Sequence, residues 1–553
     1  MKEEGNNEVQ WLRANNRHTC RIISPEEYKM QSRYLMLCKA EIVKNKDTIH
    51  SPCIKECDFS ESKNPCSFVT IFPNRRTWSS LQMDTSFVQI EMPLSNILLL
   101  LDSYHPNLIS FPGAFHSPFT VTQLNAYDRI PQAVINKTYH NVTETNVVQQ
   151  PQKRSDNNSV EEVRRKRGVI SKVEVELSRA RAAILKAGHS HNGDAKHQTS
   201  GYVPSGGIYR NATMFQRSYG EMEKVFKIFV YREGERPLVH LGPCKDIYSI
   251  EGRFIDELEL GNSILTSNPE EAHVYFLPFS VVMMVSHIYK PKTYDLTPMK
   301  RFVSDYIDVI SKKYPFWNRS LGADHFILSC HDWAPETSMV NPYLYNNSIR
   351  VLCNANTSEG FNPSKDATLP EVMLKGSMKI TMGGQSAQAR SVLAFFAGGN
   401  HGRVRPLLIQ HWKGIDKDIQ VNEYLPKGLS YYDMMKSAKY CLCPSGYEVA
   451  SPRIVEAIYS GCVPVIISDH YVLPFSDVLN WPAFSVQVPL SQIPNLKTIL
   501  QSISVNRYIQ MQRRVIQLRR HFTLNQPPKR YDMFNMILHS IWLRRLNVQL
   551  PLK

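Results

Sequence analysis

From Tyr202 onward, short apolar runs alternate with amphipathic stretches, and the alternation runs through twice. In the first round, Val225–Tyr231, Ala272–Leu277, His325–Ser329 and Ser348–Leu352 predict short buried strands. Between them, Arg301–Lys313 predicts a helix with Phe302, Tyr306, Val309 and Ile310 on one face. In the second round the expected strands are Val392–Phe396, Ile419–Val421, Tyr440–Cys443 and Val463–Ser468. Helices are expected over Val404–Trp412, Tyr431–Ser437 and Pro452–Ser460. Strands that are apolar on both faces and joined through helices form parallel sheets. The expectation is therefore an α/β chain with two Rossmann-like domains facing a cleft. Two further helical runs, Tyr508–Phe522 and Tyr531–Arg545, are expected to cross back and brace both.

A chain of 553 residues exceeds what one hydrophobic core usually serves. The pattern places one domain at residues 202–385 and a second at 386–553. Residues 121–201 read as a stem or linker containing one amphipathic helix over Val169–Ala187, with Val173, Leu177, Ala180, Ile184 and Ala187 at helical spacing. Residues 1–120 show no sustained periodicity and receive no assignment. Their longest apolar run, Ile97–Leu101, falls far short of the roughly 20 residues a membrane span needs. The start, Met1-Lys-Glu-Glu, does not open a secretory signal peptide. The chain as written is expected to be soluble.

A net charge of +15 suits an acidic partner. Nucleic acid is set aside, because no motif interleaves the basic residues with aromatics. The run Arg164–Arg167 reads as part of a solvated linker. Eleven cysteines contain no paired CxxC zinc motif; Cys330 and Cys353 either pair or stay as buried thiols. Sequons at Asn136, Asn141, Asn157, Asn211, Asn318, Asn346 and Asn356 favour a secretory route.

The chemistry concentrates in Cys443–Arg453. A strand ends at Cys443 and a turn follows with Pro444, Ser445 and Gly446. Ser451 is placed to cap the next helix, Pro452 to open it and Gly461 to stop it. A helix N-terminus at the carboxyl end of such a strand favours a diphosphate. Arg453 adds a forked cation for phosphate oxygens, Glu456 is placed for ribose hydroxyls and Glu448 for hydroxyls of a sugar. Arg403 and Arg405, after the Gly398-Gly399 turn, are candidates to reinforce the grip. Spacing alone supports a capped core helix with an Arg453–Glu456 ion pair equally well.

The string Cys441–Ile466 resembles the hallmark of the exostosin family, glycosyltransferase family 47, in its plant branch. The chain is similar to that family also at Ser218–Lys224, Ile247–Gly252, Ala272–Phe279, Trp317–Phe326, Ser329–Trp333, Leu352–Phe361, Phe395–Gly402, Tyr471–Phe475 and His539–Asn547, so the resemblance spans residues 202–547. It implies a GT-B fold and inverting transfer from a nucleotide sugar, expected to be a UDP-sugar, with no further cofactor. A wall or matrix polysaccharide acceptor is implied, with other Golgi glycosyltransferases as expected partners, in the Golgi lumen or membrane. Members usually begin with a short tail and a membrane anchor, which this chain lacks; an alternative or mis-assigned first exon is expected to account for the difference.

An inverting transfer needs a base for the acceptor hydroxyl. Asp332, or His331 beside it, follows a strand end in the first domain, and Glu359 is a rival. Asp324-His325 lies at the other end of the same strand and reads as structural. No metal ligands are expected; Asp416-Lys-Asp418 reads as a solvated turn. The other readings are a non-catalytic glycan-binding or scaffolding homologue in a synthase complex, and a glycoside hydrolase. The hydrolase would need a pair of flanking carboxylates that the sequence does not single out.

Overall fold

The computed structural model describes residues 157–189, 201–374 and 382–550, with side chains from Lys172 onward. Residues 1–120, the sequons at Asn136 and Asn141 and the linker at 190–200 lie outside it. The description opens on helix α1 (Asn157–His189), so Arg164–Arg167 belongs to a helix rather than a linker. Leu177, Ala180 and Ile184 are buried along one stripe of α1, which packs on α2 (Ala212–Val225). Arg181 donates from Nε to the carbonyl of Leu546 at 2.6 Å and from Nη2 to that of Val548 at 2.9 Å. The amphipathic helix is thus fastened to the folded body.

The first half builds a parallel sheet from β1 (Ile228–Val230), β2 (Val274–Phe276), β3 (His325–Ser329), β4 (Ile349–Leu352) and β5 (Ala367–Thr368), in sequential order. Helix α3 (Ser249–Glu259) follows β1, and α4 (Thr297–Lys313) follows β2. On α4 the core face is Met299, Val303, Tyr306, Ile307 and Ile310. Val309, expected inside, is 49% exposed, because the turn of the helix carries it past the edge of the buried stripe.

The second half pairs β6 (Val392–Ala397), β7 (Ile419–Asn422), β8 (Ala438–Pro444), β9 (Val463–Ile467) and β10 (Val486–Val488) in the order β10-β9-β8-β6-β7, all parallel. Its helices include α5 (Val404–Trp412), α6 (Tyr431–Ser437) and α7 (Arg453–Tyr459). The chain reverses its winding between β6 and β8, and in such a sheet the carboxyl ends of the strands at the reversal are where ligands bind. The sequential first sheet has no such switch point.

Two closing helices tie the halves. Helix α8 (Val505–Phe522) packs on α7 and β9, whereas α9 (Met533–Asn547) returns to β4, β5 and α2. Helix α9 is buried almost all round, as a helix inserted between layers must be. Arg544 donates to the carbonyl of Asp366 at 2.7 Å and Arg545 to that of His273 at 2.7 Å, satisfying backbone oxygens at the rim of the first sheet. Among the described residues, no helix is long and apolar enough to cross a membrane.

Cys330 pairs with Cys353, joining the carboxyl ends of β3 and β4, with Cα atoms 4.5 Å apart. Cys441 pairs with Cys462 under the switch point, a bond that the sequence analysis did not anticipate. Replacing both Cys441 and Cys462 with serine is expected to lower stability by about 3 kcal/mol, the figure for releasing a loop of this length. Chemical denaturation would read it; an unchanged midpoint would show that packing alone holds β8 to β9.

Candidate active site

Four loops meet at the switch point. The first runs from the end of β6 through Gly398 to α5, the second from β8 to α7, and the third and fourth follow β3 and β4 in the first half. The first two touch so closely that side chains are excluded. Gly402 has φ +68°, and a Cβ there would sit 1.7 Å from the carbonyl oxygen of Gly446. A Cβ on Gly446 would meet the Arg405 guanidinium at 2.9 Å, and one on Gly398 the Arg453 guanidinium at 2.6 Å. These glycines let two arginines lie flat over the strand ends.

Arg453 leads α7. Its Nη2 donates to the Ala397 carbonyl at 3.1 Å and its Nη1 to Ser451 Oγ at 3.4 Å, and the guanidinium covers the Phe396 ring at 4.8 Å. It forms no ion pair with Glu456. That carboxylate accepts instead from the hydroxyls of Tyr431 at 2.8 Å and Tyr432 at 3.3 Å. The capped helix with an Arg453–Glu456 pair is therefore not what forms; each Glu456 oxygen takes one tyrosine hydroxyl and keeps further acceptor capacity. Arg405 reaches Gly399 with Nη1 at 3.4 Å, and burial together with the neighbouring Arg453 charge pushes its pKa down to about 10. The Nε atoms of Arg405 and Arg453 are both buried without a hydrogen-bond partner. Two guanidinium groups sharing one space with donors to spare are arranged for an anion with several oxygens.

The other predicted donor residues divide. Ser451 is buried and its Oγ accepts from the Arg453 N–H at 3.4 Å, a weak cap one residue from the expected helix start. Ser445 spends its N–H and its hydroxyl on the Ile467 carbonyl, and the Gly446 N–H bonds the Glu448 carbonyl at 3.0 Å. Both shape the turn; neither has a free donor for phosphate there. Arg403 is exposed at the start of α5.

Carboxylates from both halves gather opposite the arginines. The Asn354 Nδ2 lies 2.9 Å from Glu448 Oε2, 3.0 Å from Glu359 Oε2 and 3.1 Å from the Asp332 carbonyl. Two N–H bonds thus face three acceptors, and one of them bridges the two halves. Burial, then the charges of Glu359 and Asp332, raise the Glu448 pKa. Asp332 Oδ1 accepts from the Tyr248 hydroxyl at 3.1 Å, and burial lifts its pKa to about 6. His331 is placed differently: its Nδ1 accepts from the Trp333 N–H at 3.0 Å, so the neutral ring carries its proton on Nε2. Burial holds its pKa down at about 4. It is a donor packed between Tyr248 and Trp333, at ring distances of 5.0 and 5.1 Å, and is not poised as a base.

The loop bearing Asp332 is held from below. Glu251, fully buried on α3, accepts from the Cys330 N–H at 2.8 Å, from Ser329 Oγ at 2.9 Å and from Ser280 Oγ. Glu251 went unassigned in the sequence, although it stands inside the similar stretch Ile247–Gly252. At the other end of β3, Asp324 is locked by Arg319 at 2.9 Å, Ser320 at 2.6 Å and His325 at 2.8 Å, a structural knot as expected. Asp416 and Asp418 are both paired to Lys497. The sequon at Asn356 is corrected: the residue is 7% exposed and its Nδ2 donates to Glu359 Oε1 at 2.9 Å, so a glycan has no room. Asn318 and Asn346 are exposed.

Known proteins resemble the chain over most of the described residues. Residues 222–503 match the Exostosin GT47 domain. A probable glycosyltransferase of Arabidopsis thaliana is 58% identical over 390 residues, covering 70% of this chain and 74% of the relative. A probable beta-1,4-xylosyltransferase of the same plant is 30% identical over 320 residues, covering 52% and 74%. A probable glucuronosyltransferase of Oryza sativa subsp. japonica is 28% identical over 341 residues, covering 57% and 77%. The two parallel five-stranded sheets are those of a two-domain, Rossmann-like GT-B glycosyltransferase. The chain belongs to the Exostosin GT47 family and is a glycosyltransferase.

Proposed function

We propose that the chain transfers a sugar from a nucleotide-sugar donor, a UDP-sugar, to a cell-wall or matrix polysaccharide with inversion at the anomeric carbon. The observation that carries this reading is the pair Arg405 and Arg453, each with an unpartnered buried Nε, at the switch point. Their two positive charges match a diphosphate and stabilise it as it leaves. Asp332 stands in the opposing loop as the base. The acceptor oxygen bonds to the anomeric carbon while the carbon–phosphate oxygen bond breaks. The bonding pair leaves with the diphosphate, and the hydroxyl proton goes to Asp332. One displacement from the face opposite the leaving group inverts the centre. Glu448, from the donor loop, is the residue for sugar hydroxyls.

The disulfides Cys330–Cys353 and Cys441–Cys462 support an oxidising compartment, consistent with work in the Golgi lumen. The relatives' names include both xylosyl and glucuronosyl transfer, so neither the donor sugar nor the acceptor follows from kinship. The test is release of nucleoside diphosphate from a panel of nucleotide sugars offered with wall oligosaccharides. Turnover that needs both donor and acceptor, with an inverted product, is expected. No turnover with any donor, together with glycan binding that survives Arg453→Ala, would identify a scaffolding homologue instead.

A further inference from the structure

Asn354 lies just beyond β4, and its backbone is fixed from both sides. Cys353 before it is bonded to Cys330. After it, the Ala355 carbonyl accepts from the Val472 N–H at 3.0 Å, and the Thr357 N–H donates to the His470 carbonyl at 3.1 Å. Both of those partners follow β9 in the second half. The side chain is 2% exposed, so its amide has no water to turn to. Its Nδ2 faces Glu448 at 2.9 Å, Glu359 at 3.0 Å and the Asp332 peptide oxygen at 3.1 Å. A peptide oxygen only accepts, which fixes the N–H side of the amide on this cluster. Its hydrogens are fewer than the oxygens that claim them, while its Oδ1 is buried without a partner. The claims are unequal. Glu359 is also held by Asn356 Nδ2 at 2.9 Å, whereas Glu448 reaches over from the donor loop.

We propose that Asn354 is a positioning residue for the transfer: its amide clasps the donor loop through Glu448 until the donor sugar takes Glu448, and then holds the loop that carries Asp332. This rests on the donor-site reading above. A sugar hydroxyl bonded to Glu448 removes one claim on the amide. Both N–H bonds then fall to Glu359 and the Asp332 peptide, and the base is set in register once the donor is in place. The protonation of Glu448 does not alter this, since a carboxyl accepts on its carbonyl oxygen and a carboxylate on either.

The test compares Asn354→Ala, which removes the N–H bonds, with Asn354→Asp, which keeps the shape and trades the donor for an acceptor. Both are assayed as the full chain, with UDP titration and thermal unfolding as controls, using the donor and wall oligosaccharide that turn over in the panel above. In Asn354→Ala, kcat is expected to fall about 10–100-fold, the cost of a slightly misplaced reacting group. UDP affinity should persist and the donor KM should not rise, because the sugar no longer displaces the amide from Glu448. The shortfall of Asn354→Asp should grow as pH rises and the introduced carboxyl loses its proton, passing that of Asn354→Ala at alkaline pH. A residue that only fills space predicts the reverse, the isosteric variant being milder at every pH, and that result overturns the inference. So does an unchanged kcat in Asn354→Ala, or a raised donor KM with kcat intact. A native chain that fails to bind UDP, or that turns over no donor, overturns the donor-site reading, and the inference with it.

Discussion

Arg453→Ala is expected to weaken binding of the free nucleoside diphosphate by about a hundredfold, or ~3 kcal/mol, the upper range for hydrogen bonds to a charged group. Turnover should fall further, by about 10²–10³ in kcat, because the diphosphate gains charge only as the bond breaks. Arg405→Ala should act in the same direction. The two effects should not add, since each guanidinium raises the cost of holding the other. Arg453→Lys separates charge from shape: a point charge keeps the attraction but loses the fork and the stack on Phe396. Titration with the diphosphate, alongside thermal unfolding, checks all three. Full binding in Arg453→Ala with normal folding would remove the diphosphate from this crevice.

The second large effect concerns Asp332. Asp332→Asn is expected to lower kcat by about 10²–10⁴, the range for losing a general base. The native pH profile should carry the same group. A base must be ionised, and Asp332 is held at about 6 by burial, so kcat/KM should fall about tenfold per unit as pH drops below that value. The variant should lose this limb. Stability should move the other way. The folded pKa lies above that of an unfolded aspartate, so the folded state binds the extra proton and stability declines as pH rises from the unfolded value toward 6. The uncharged amide of Asp332→Asn escapes that decline, so the variant should melt no lower than the native chain at pH 7. A variant that keeps the acid limb would pass the role of base to Glu448 or Glu359.

Local patterns were readable where one residue's neighbours in sequence are also its neighbours in space. Val404–Trp412 and Tyr431–Ser437 are helices over the residues expected, and the β8–α7 turn lies where its Pro, Ser and Gly residues placed it. The order of the strands was not readable, because it depends on where each crossover lands. The switch point between β6 and β8 therefore appeared only in three dimensions. Asn354 was missed for the same reason: it sits in an ordinary loop, and what marks it is a residue of the other half, Glu448. His331 shows the converse. Its type and place suggested a base, and one backbone N–H from Trp333 decides its tautomer otherwise.

The return of α9 to the first sheet has a consequence for the chain while it is being made. The first half emerges from the ribosome complete in its strands, yet one apolar face of that sheet, with Phe276, Phe326, Val351 and Ala367, belongs to the same core as Met536, Ile537, Ile541 and Trp542 of the closing helix. Those partners are translated some 170 residues after β5 (Ala367–Thr368 to Ile537), so the face waits through synthesis of the entire second half. Early segments cannot mature one after another as separate beads. The nascent protein has to keep that surface shielded until its last turns arrive, and the chaperones it meets on the way become part of how this fold is reached.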